Sequence, residues 1–449
     1  MEVWLRYGRE GLRAEIPDRN LVGVLRLNRV PALTDPGRAV REALRTPIGT
    51  PPLPELAAGR RDACIVVSDL TRPVPNAVLL PALLQALDEG GLPAERVTLL
   101  VATGLHRPNT DGELREMVGA EVLAAGARLV NHVARDASQQ VALGTTARGV
   151  PVAVDRAYVE ADLRILTGLI EPHLMAGYSG GRKAVCPGIS SLETIRVWHG
   201  PRFLEPEESR GGNLQGNVVH EEALAVARLA GADFIANVTM DDHRETTGVF
   251  VGDLERAHLA GVAFAERQCQ VGVPEPVDVV VTTNAGYPLD LTFYQGPKGM
   301  QAALPILKPG GTVIIAQACE EGLGSEEFAQ LILGTDDLEA YVAATYDPEV
   351  FTIDQWQLHM MLKVVRHAGE VLNLSTGLDA ETLERCFVTP IASVEAGVER
   401  ALRRHGPDAT IAVLPDGPYV LPCVAGALPY HAERSEASLP LPETAETLR

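Results

Sequence analysis

Short apolar runs rich in β-branched residues recur along this chain, and helix-length stretches separate them. The runs are Ala63–Val67 (ACIVV), Arg96–Ala102, Asp162–Leu166, Asp233–Thr239, Val277–Thr283 (VDVVVTT), Thr312–Ala316 and Ala409–Leu414. Helical patterning fills Asn76–Glu89, His220–Ala230, Lys298–Leu307, Ser325–Leu333 and Asp354–Ala368. Strand-sized runs that alternate with helices predict βαβ units, and therefore parallel sheets covered on both faces. The opening pieces Val3–Tyr7 and Leu12–Ile16 are also strand-like.

A chain of 449 residues exceeds one ordinary core, so two domains are expected. The prolines of Val273-Pro-Glu-Pro276 mark the boundary. The reading is an α/β protein of two α/β domains with mainly parallel sheets. Residues 1–272 form the N-terminal domain, which residues 409–424 return to complete. Residues 277–408 form the C-terminal domain, and the polar, proline-punctuated stretch 425–449 forms a disordered tail.

A formal charge of −20 excludes a nucleic-acid or anionic-membrane footprint but still permits a small anionic substrate. Arg182, Lys183 and Lys298 are the cations expected to draw such an anion into a cleft. Six cysteines without any C-x-x-C pair make neither a disulfide framework nor a zinc site, which predicts a reducing cytoplasm. The amino terminus lacks an apolar leader region, and no run of about 18 apolar residues predicts a membrane span.

Four polar clusters follow predicted strands, where ligands gather in parallel sheets. The first is Ser68-Asp-Leu-Thr-Arg-Pro73, in which Asp69 and Thr71 suit a ribose or phosphate and Arg72 forks onto an anion. Asp and Thr are equally ordinary helix caps. The second is Thr103-Gly-Leu-His-Arg-Pro108, whose His106 has the chemistry of a general base or of a plain loop histidine. The third is Glu171-Pro-His-Leu-Met-Ala-Gly-Tyr-Ser-Gly-Gly-Arg-Lys-Ala-Val-Cys-Pro-Gly188, followed by His199. No packing need explains so many glycines beside His173, Arg182 and Lys183; glycines let backbone amides approach a ligand closely. Lys183 is either a phosphate-binding lysine or a covalent anchor. The spacing is neither the P-loop nor the G-x-G-x-x-G dinucleotide fingerprint. His199 closes a helix that starts near Ser191 and lacks partners at H-x-x-x-H or H-E-x-x-H spacing. Cys186 reads as a small buried thiol. In the fourth cluster, Gln295-Gly-Pro-Lys298, Gln295 and Lys298 can close a cleft onto a carboxylate. Trp356 is either a core residue or an aromatic wall over the same cleft.

Together these clusters resemble the nickel-pincer-nucleotide-dependent lactate racemase family. The resemblance runs from Tyr7-Gly8 through D-x-T-R-P at 69–73, T-G-x-H-R at 103–107 and H-x-x-A-G-Y-S-G-G-R-K at 173–183. It continues through His199 and Q-G-x-K at 295–298 to Trp356, so it covers nearly all but the tail. It implies two α/β domains with the active site in the cleft between them. It also implies a nickel-pincer mononucleotide tethered at Lys183 with His199 as the protein ligand to nickel. Asp69, Leu70, Thr71 and Arg72 then bind cofactor; Arg72, Gln295, Lys298, Tyr294 and Trp356 meet substrate; His106 and His173 alternate as bases. The implied activity is inversion of C2 in a small 2-hydroxy acid by reversible hydride transfer, with maturation proteins supplying the cofactor. Two other readings stay open: a carrier or sensor of the nickel nucleotide without turnover, and a nicotinamide dehydrogenase, which the missing dinucleotide fingerprint disfavours.

Overall fold

The computed structural model describes residues 1–425. The expected disordered tail therefore lies, apart from Ala425, outside the described residues.

Two six-stranded sheets organise the chain. The first has the order Thr246–Gly252, Phe234–Met240, Leu163–Leu169, Ala63–Ser68, Val97–Ala102, Arg128–Asn131. Its neighbours are parallel except for the first pair. The second runs Thr389–Pro390, Glu370–Leu374, Leu307–Ala316, Val277–Thr283, Ile411–Leu414, Leu21–Val24 and is parallel throughout. The central strands are buried along almost their whole length. Within Ala63–Ser68 alternate residues serve opposite faces. Ile65 and Val67 pack with Leu79 and Leu83 of helix Asn76–Glu89, whereas Cys64 and Val66 pack with Val219 and Ala223 of helix Val218–Ala230. Burial on both faces is why these strands read as continuous apolar runs. Among the described residues no helix is long and apolar enough to cross a membrane.

The expected routing of the two chain ends is corrected by the sheet order. Residues 409–424 do not complete the first domain's sheet: Ile411–Leu414 pairs with Val277–Thr283, Val279 opposite Ile411 and Thr282 opposite Leu414. Its other side accepts Leu21–Val24, so the start of the chain, assigned to the first domain, sits on the second sheet. The cause is a shared core. Val3, Leu5, Ala14 and Ile16 of the opening hairpin pack with Val279, Val281, Ile314 and Val413, covering one face of that sheet. Beyond it, Leu421–Val424 pairs with Gln270–Val273 in a two-stranded parallel join between the lobes.

Each sheet reverses its strand order once. In the first sheet the reversal falls between Ala63–Ser68 and Leu163–Leu169, and in the second between Val277–Thr283 and Ile411–Leu414. Such switch points open a crevice at the carboxyl ends of the strands. The segments from Asp69 and from Glu171 leave the first sheet on the two sides of its crevice.

Candidate active site

Asp69 is the first residue past the buried strand Ala63–Ser68 and is itself 5% exposed. Its Oδ1 accepts the Thr71 hydroxyl at 2.6 Å and its Oδ2 lies 2.6 Å from His106 Nδ1. Burial alone would raise the carboxyl's pKa. The hydrogen bond and charge of His106, with smaller help from Arg72 and Thr71, outweigh that and hold it below the usual range. An ionised carboxylate only accepts, so the neutral form of His106 carries its proton on Nδ1 and leaves Nε2 as the acceptor. His106 is exposed, as a base that meets substrate must be. Leu70 is exposed beside it, and the Arg72 guanidinium rests on Thr71 with donors to spare.

On the other side of the crevice, Pro172–His173 and Gly177–Tyr178 form a minimal antiparallel ladder. His173 Nδ1 accepts the backbone N–H groups of Ala176 at 3.2 Å and Met175 at 3.4 Å, which places the proton of the neutral ring on Nε2. Burial, then the positive charges of Lys183, Lys298, Arg72 and Arg182, push its pKa well below the ordinary value. His106 is thus poised as an acceptor and His173 as a neutral N–H donor. A bound anion would relieve part of the charge that depresses His173.

The glycines place the basic pair. Gly180 has φ +78, and a Cβ there would meet Asn237 Oδ1 at 2.8 Å; that same oxygen accepts the Gly181 N–H at 2.7 Å. The following turn, Gly181–Ala184, sends Arg182 and Lys183 in different directions. Arg182 was expected to help attract an anion, but it is 1% exposed and faces inward. It donates to the carbonyls of Ala176, Tyr178 and Gly180 and bonds His258 Nε2. Bonds at both terminal nitrogens offset the cost of burying the guanidinium, although Nε has no partner among the described residues, and through them Arg182 holds the loop's shape. Among the described residues Lys183 Nζ has no such partners, and it lies 5.3 Å from the centre of the Trp198 ring. Burial first, then Arg182 and Arg72, lower its pKa to about 7, which leaves much of the amine unprotonated and nucleophilic at neutral pH. Cys186 is a buried thiol pushed up to about 12, and Met175 is buried.

His199 caps the carboxyl end of helix Leu192–Trp198 and is 8% exposed. Its Nδ1 is buried without a hydrogen-bond partner among the described residues. Burial, then Lys183 and His359, lower its pKa to about 3, so the imidazole is neutral and free to act as a donor. The positive charge of Lys183 is a cause of the lowered pKa of both His173 and His199.

The second lobe contributes Gln295 and Lys298 at the start of helix Gly296–Ala303. Among the described residues the buried Gln295 Oε1 has no hydrogen-bond partner. Burial lowers the Lys298 ammonium's pKa, with Arg72 adding to the effect and Glu171 opposing it. Glu171 is held up by burial against the pull of Arg72 and Lys298. Its position directly before Pro172-His173 was the only sequence signal for it. A cavity of about 770 Å³ between the lobes is lined by Thr71, Arg72, Glu171, His173 and Lys298 at this end. His106, Lys183, His199, Gln295, Tyr294 and Trp356 are not among its lining residues; Trp356 Nε1 donates to the Tyr294 oxygen at 3.0 Å, and the Trp356 ring lies against His199. Among the described residues no group of three or more His, Cys, Asp or Glu side chains could hold a metal ion. A metal at His199 would need its other donors from a bound group.

Comparison with known proteins places these features in a family context. Residues 7–211 match the model for the lactate racemase N-terminal domain, and residues 273–421 match that for the lactate racemase C-terminal domain. A lactate racemase of Lactiplantibacillus plantarum is 35% identical over 417 residues, covering 92% of this chain and 97% of that protein. A lactate racemase of Thermoanaerobacterium thermosaccharolyticum is 33% identical over 424 residues, covering 93% and 98%. The solved apoprotein of lactate racemase from the latter organism superposes with a TM-score of 0.87 at 32% identity, covering 94% of this chain and all of that one. A Thermotoga maritima protein shares the fold at a TM-score of 0.65 and 17% identity, covering 88% of this chain and all of that one.

Proposed function

This chain belongs to the lactate racemase family, a family of isomerases, and from that premise we propose that it inverts C2 of a 2-hydroxy carboxylic acid, lactate or a larger homologue. The observation that carries the reading is a pair of imidazoles on loops that follow the carboxyl ends of two strands of the first sheet, Val97–Ala102 and Leu163–Leu169. His106 is oriented by a buried carboxylate at 2.6 Å, and His173 is kept neutral in a cavity wall that it shares with Arg72 and Lys298, the cations for an anion.

The residues fit a nickel-pincer nucleotide. His199 offers a neutral imidazole with an unpartnered nitrogen, and Lys183 offers an amine that is partly free at neutral pH. We assign His199 as the nickel ligand and Lys183 as the covalent tether, with Asp69, Leu70, Thr71 and Arg72 along the cofactor. When bound, that group supplies an acceptor for the substrate's α-hydrogen as hydride, which avoids a carbanion next to a carboxylate. The protein does the rest. Arg72 and Lys298 hold the carboxylate, with Gln295 at the same edge, and in doing so relieve the charge that presses on His173. His106 Nε2 takes the hydroxyl proton on one side of C2. On the other side His173 returns a proton to the oxygen from Nε2, and exchange with solvent resets both rings between turnovers. Exchanging the two roles serves the opposite hand.

The test is C2-deuterated substrate turned over in ordinary water by the cofactor-loaded enzyme. Inverted product should keep its deuterium. Product that has lost most of it to solvent would overturn the hydride route. A carrier without turnover has no use for either imidazole, so alanine at both His106 and His173 should abolish activity.

A further inference from the structure

An imidazole that binds a metal is ordinarily oriented by a hydrogen bond from its other ring nitrogen to a carboxylate or carbonyl. Among the described residues His199 makes no such bond at Nδ1. It has two aromatic neighbours instead. The Trp198 ring lies 4.5 Å from its centroid at 31°, and the Trp356 ring 4.5 Å away at 37°. Both indoles are themselves pinned. Trp198 Nε1 donates to the Val219 carbonyl at 3.0 Å. Trp356 Nε1 donates to the Tyr294 oxygen, Tyr294 O–H donates to Asp354 Oδ1 at 3.1 Å, and Asp354 Oδ2 accepts from Ser325 Oγ at 2.7 Å. Two pinned indoles in contact with the imidazole restrict its rotation.

We propose that Trp356 is a positioning residue for His199, one jaw of an aromatic clamp that the second lobe closes; this rests on His199 being the nickel ligand. The two jaws are not equivalent. Trp198 precedes His199 in the chain and moves with it. Trp356 arrives on helix Gln355–His367, whose Leu358, Met361 and Leu362 belong to the second lobe's core, while Trp356 and Met360 cross into the first lobe's. The ring is therefore gripped only while the lobes are together. Parting them frees the imidazole, which ties retention of the metal to closure of the cleft.

The test compares nickel loss to excess chelator from holoenzyme, followed by metal analysis. The proteins are wild type, Trp356→Leu, Trp356→Met, which keeps apolar volume without a flat face, Trp356→Phe, which keeps the face, and His199→Ala. Loss of an orienting partner typically costs about 10–100-fold in metal affinity, so the Leu and Met variants should release nickel that much faster and the Phe variant within about threefold of wild type. Retention at the wild-type rate by Leu and Met, with His199→Ala releasing quickly, would overturn the clamp and leave the ligand assignment standing. Wild-type retention by His199→Ala would overturn the ligand assignment itself. A second measurement needs no cofactor: diethyl pyrocarbonate should modify His199 faster in the Leu and Met apoproteins than in wild type, and an unchanged rate would also overturn the clamp.

Discussion

Replacing Asp69 with asparagine separates proton transfer from binding. The carboxylate is buried and accepts from Thr71 and His106, both at 2.6 Å, while the His106 side chain is 47% exposed. Because Asp69 is ionised, it can only stabilise the tautomer that puts the His106 proton on Nδ1. Asparagine has nearly the same shape, yet its amide can offer an N–H to Nδ1 and so favour the tautomer whose Nε2 is already protonated and useless as a base. In the Ser-His-Asp hydrolases the corresponding change costs about 10⁴ in kcat. His106 is far more exposed and can recover the useful tautomer with help from water. A smaller loss of about 10²–10³ is therefore expected, or about 2.7–4 kcal/mol of barrier.

The assay is chiral chromatography of reactions started from each enantiomer separately. Two enantiomers have equal free energy, so kcat/KM must match in the two directions in the variant as in wild type. The fall should therefore appear symmetrically even though His106 serves one side of the carbon. A variant within about threefold of wild type would refute the Asp69–His106 pair as the proton-transfer device. A raised KM with unchanged kcat would instead make Asp69 a binding residue alone.

Other changes test other groups. Lys183→Ala and Lys183→Arg should both abolish the covalent cofactor adduct by intact mass, since arginine keeps charge but stays protonated; in wild type, adduct formation should quicken as pH rises through about 7. Lys298→Ala should raise KM for the acid about 10–100-fold, the scale of a charge-assisted hydrogen bond. Because Lys298 is among the charges depressing His173, that variant's acid limb should also move to higher pH in a kcat/KM profile. His173, His199 and His258 all have folded pKa values below the unfolded 6.5, so the unfolded chain binds more protons as pH falls. Their stabilisation is complete above about 6.5 and is lost progressively on acidification, down to about 3 for His199. Thermal melts of the apoprotein should show Tm dropping steadily below pH 6.5, and a flat Tm between pH 6.5 and 4 would contradict their buried, neutral state.

The strands were legible because a buried parallel strand must be apolar on both faces, and the polar clusters because each follows such a strand. Partner choice was not legible. Ile411–Leu414 is apolar enough to sit in either sheet, and only its register against Val277–Thr283 and the hairpin core of Val3, Leu5, Ala14 and Ile16 decide for the second. Arg182 and Lys183 look like one positive patch in sequence, yet one tight turn buries the first among carbonyls and leaves the second's amine free. Local spacing encodes neither that divergence nor the meeting of Trp356 with His199, which depends on two lobes docking. The residues that carry chemistry announced themselves by type and loop position, whereas those that aim them were hidden, because aiming is a property of contacts between distant segments. Asp69 shows the difference within a single residue: its loop position suggested a ligand contact or a helix cap, and only the 2.6 Å approach of His106 gives it the task of setting a tautomer.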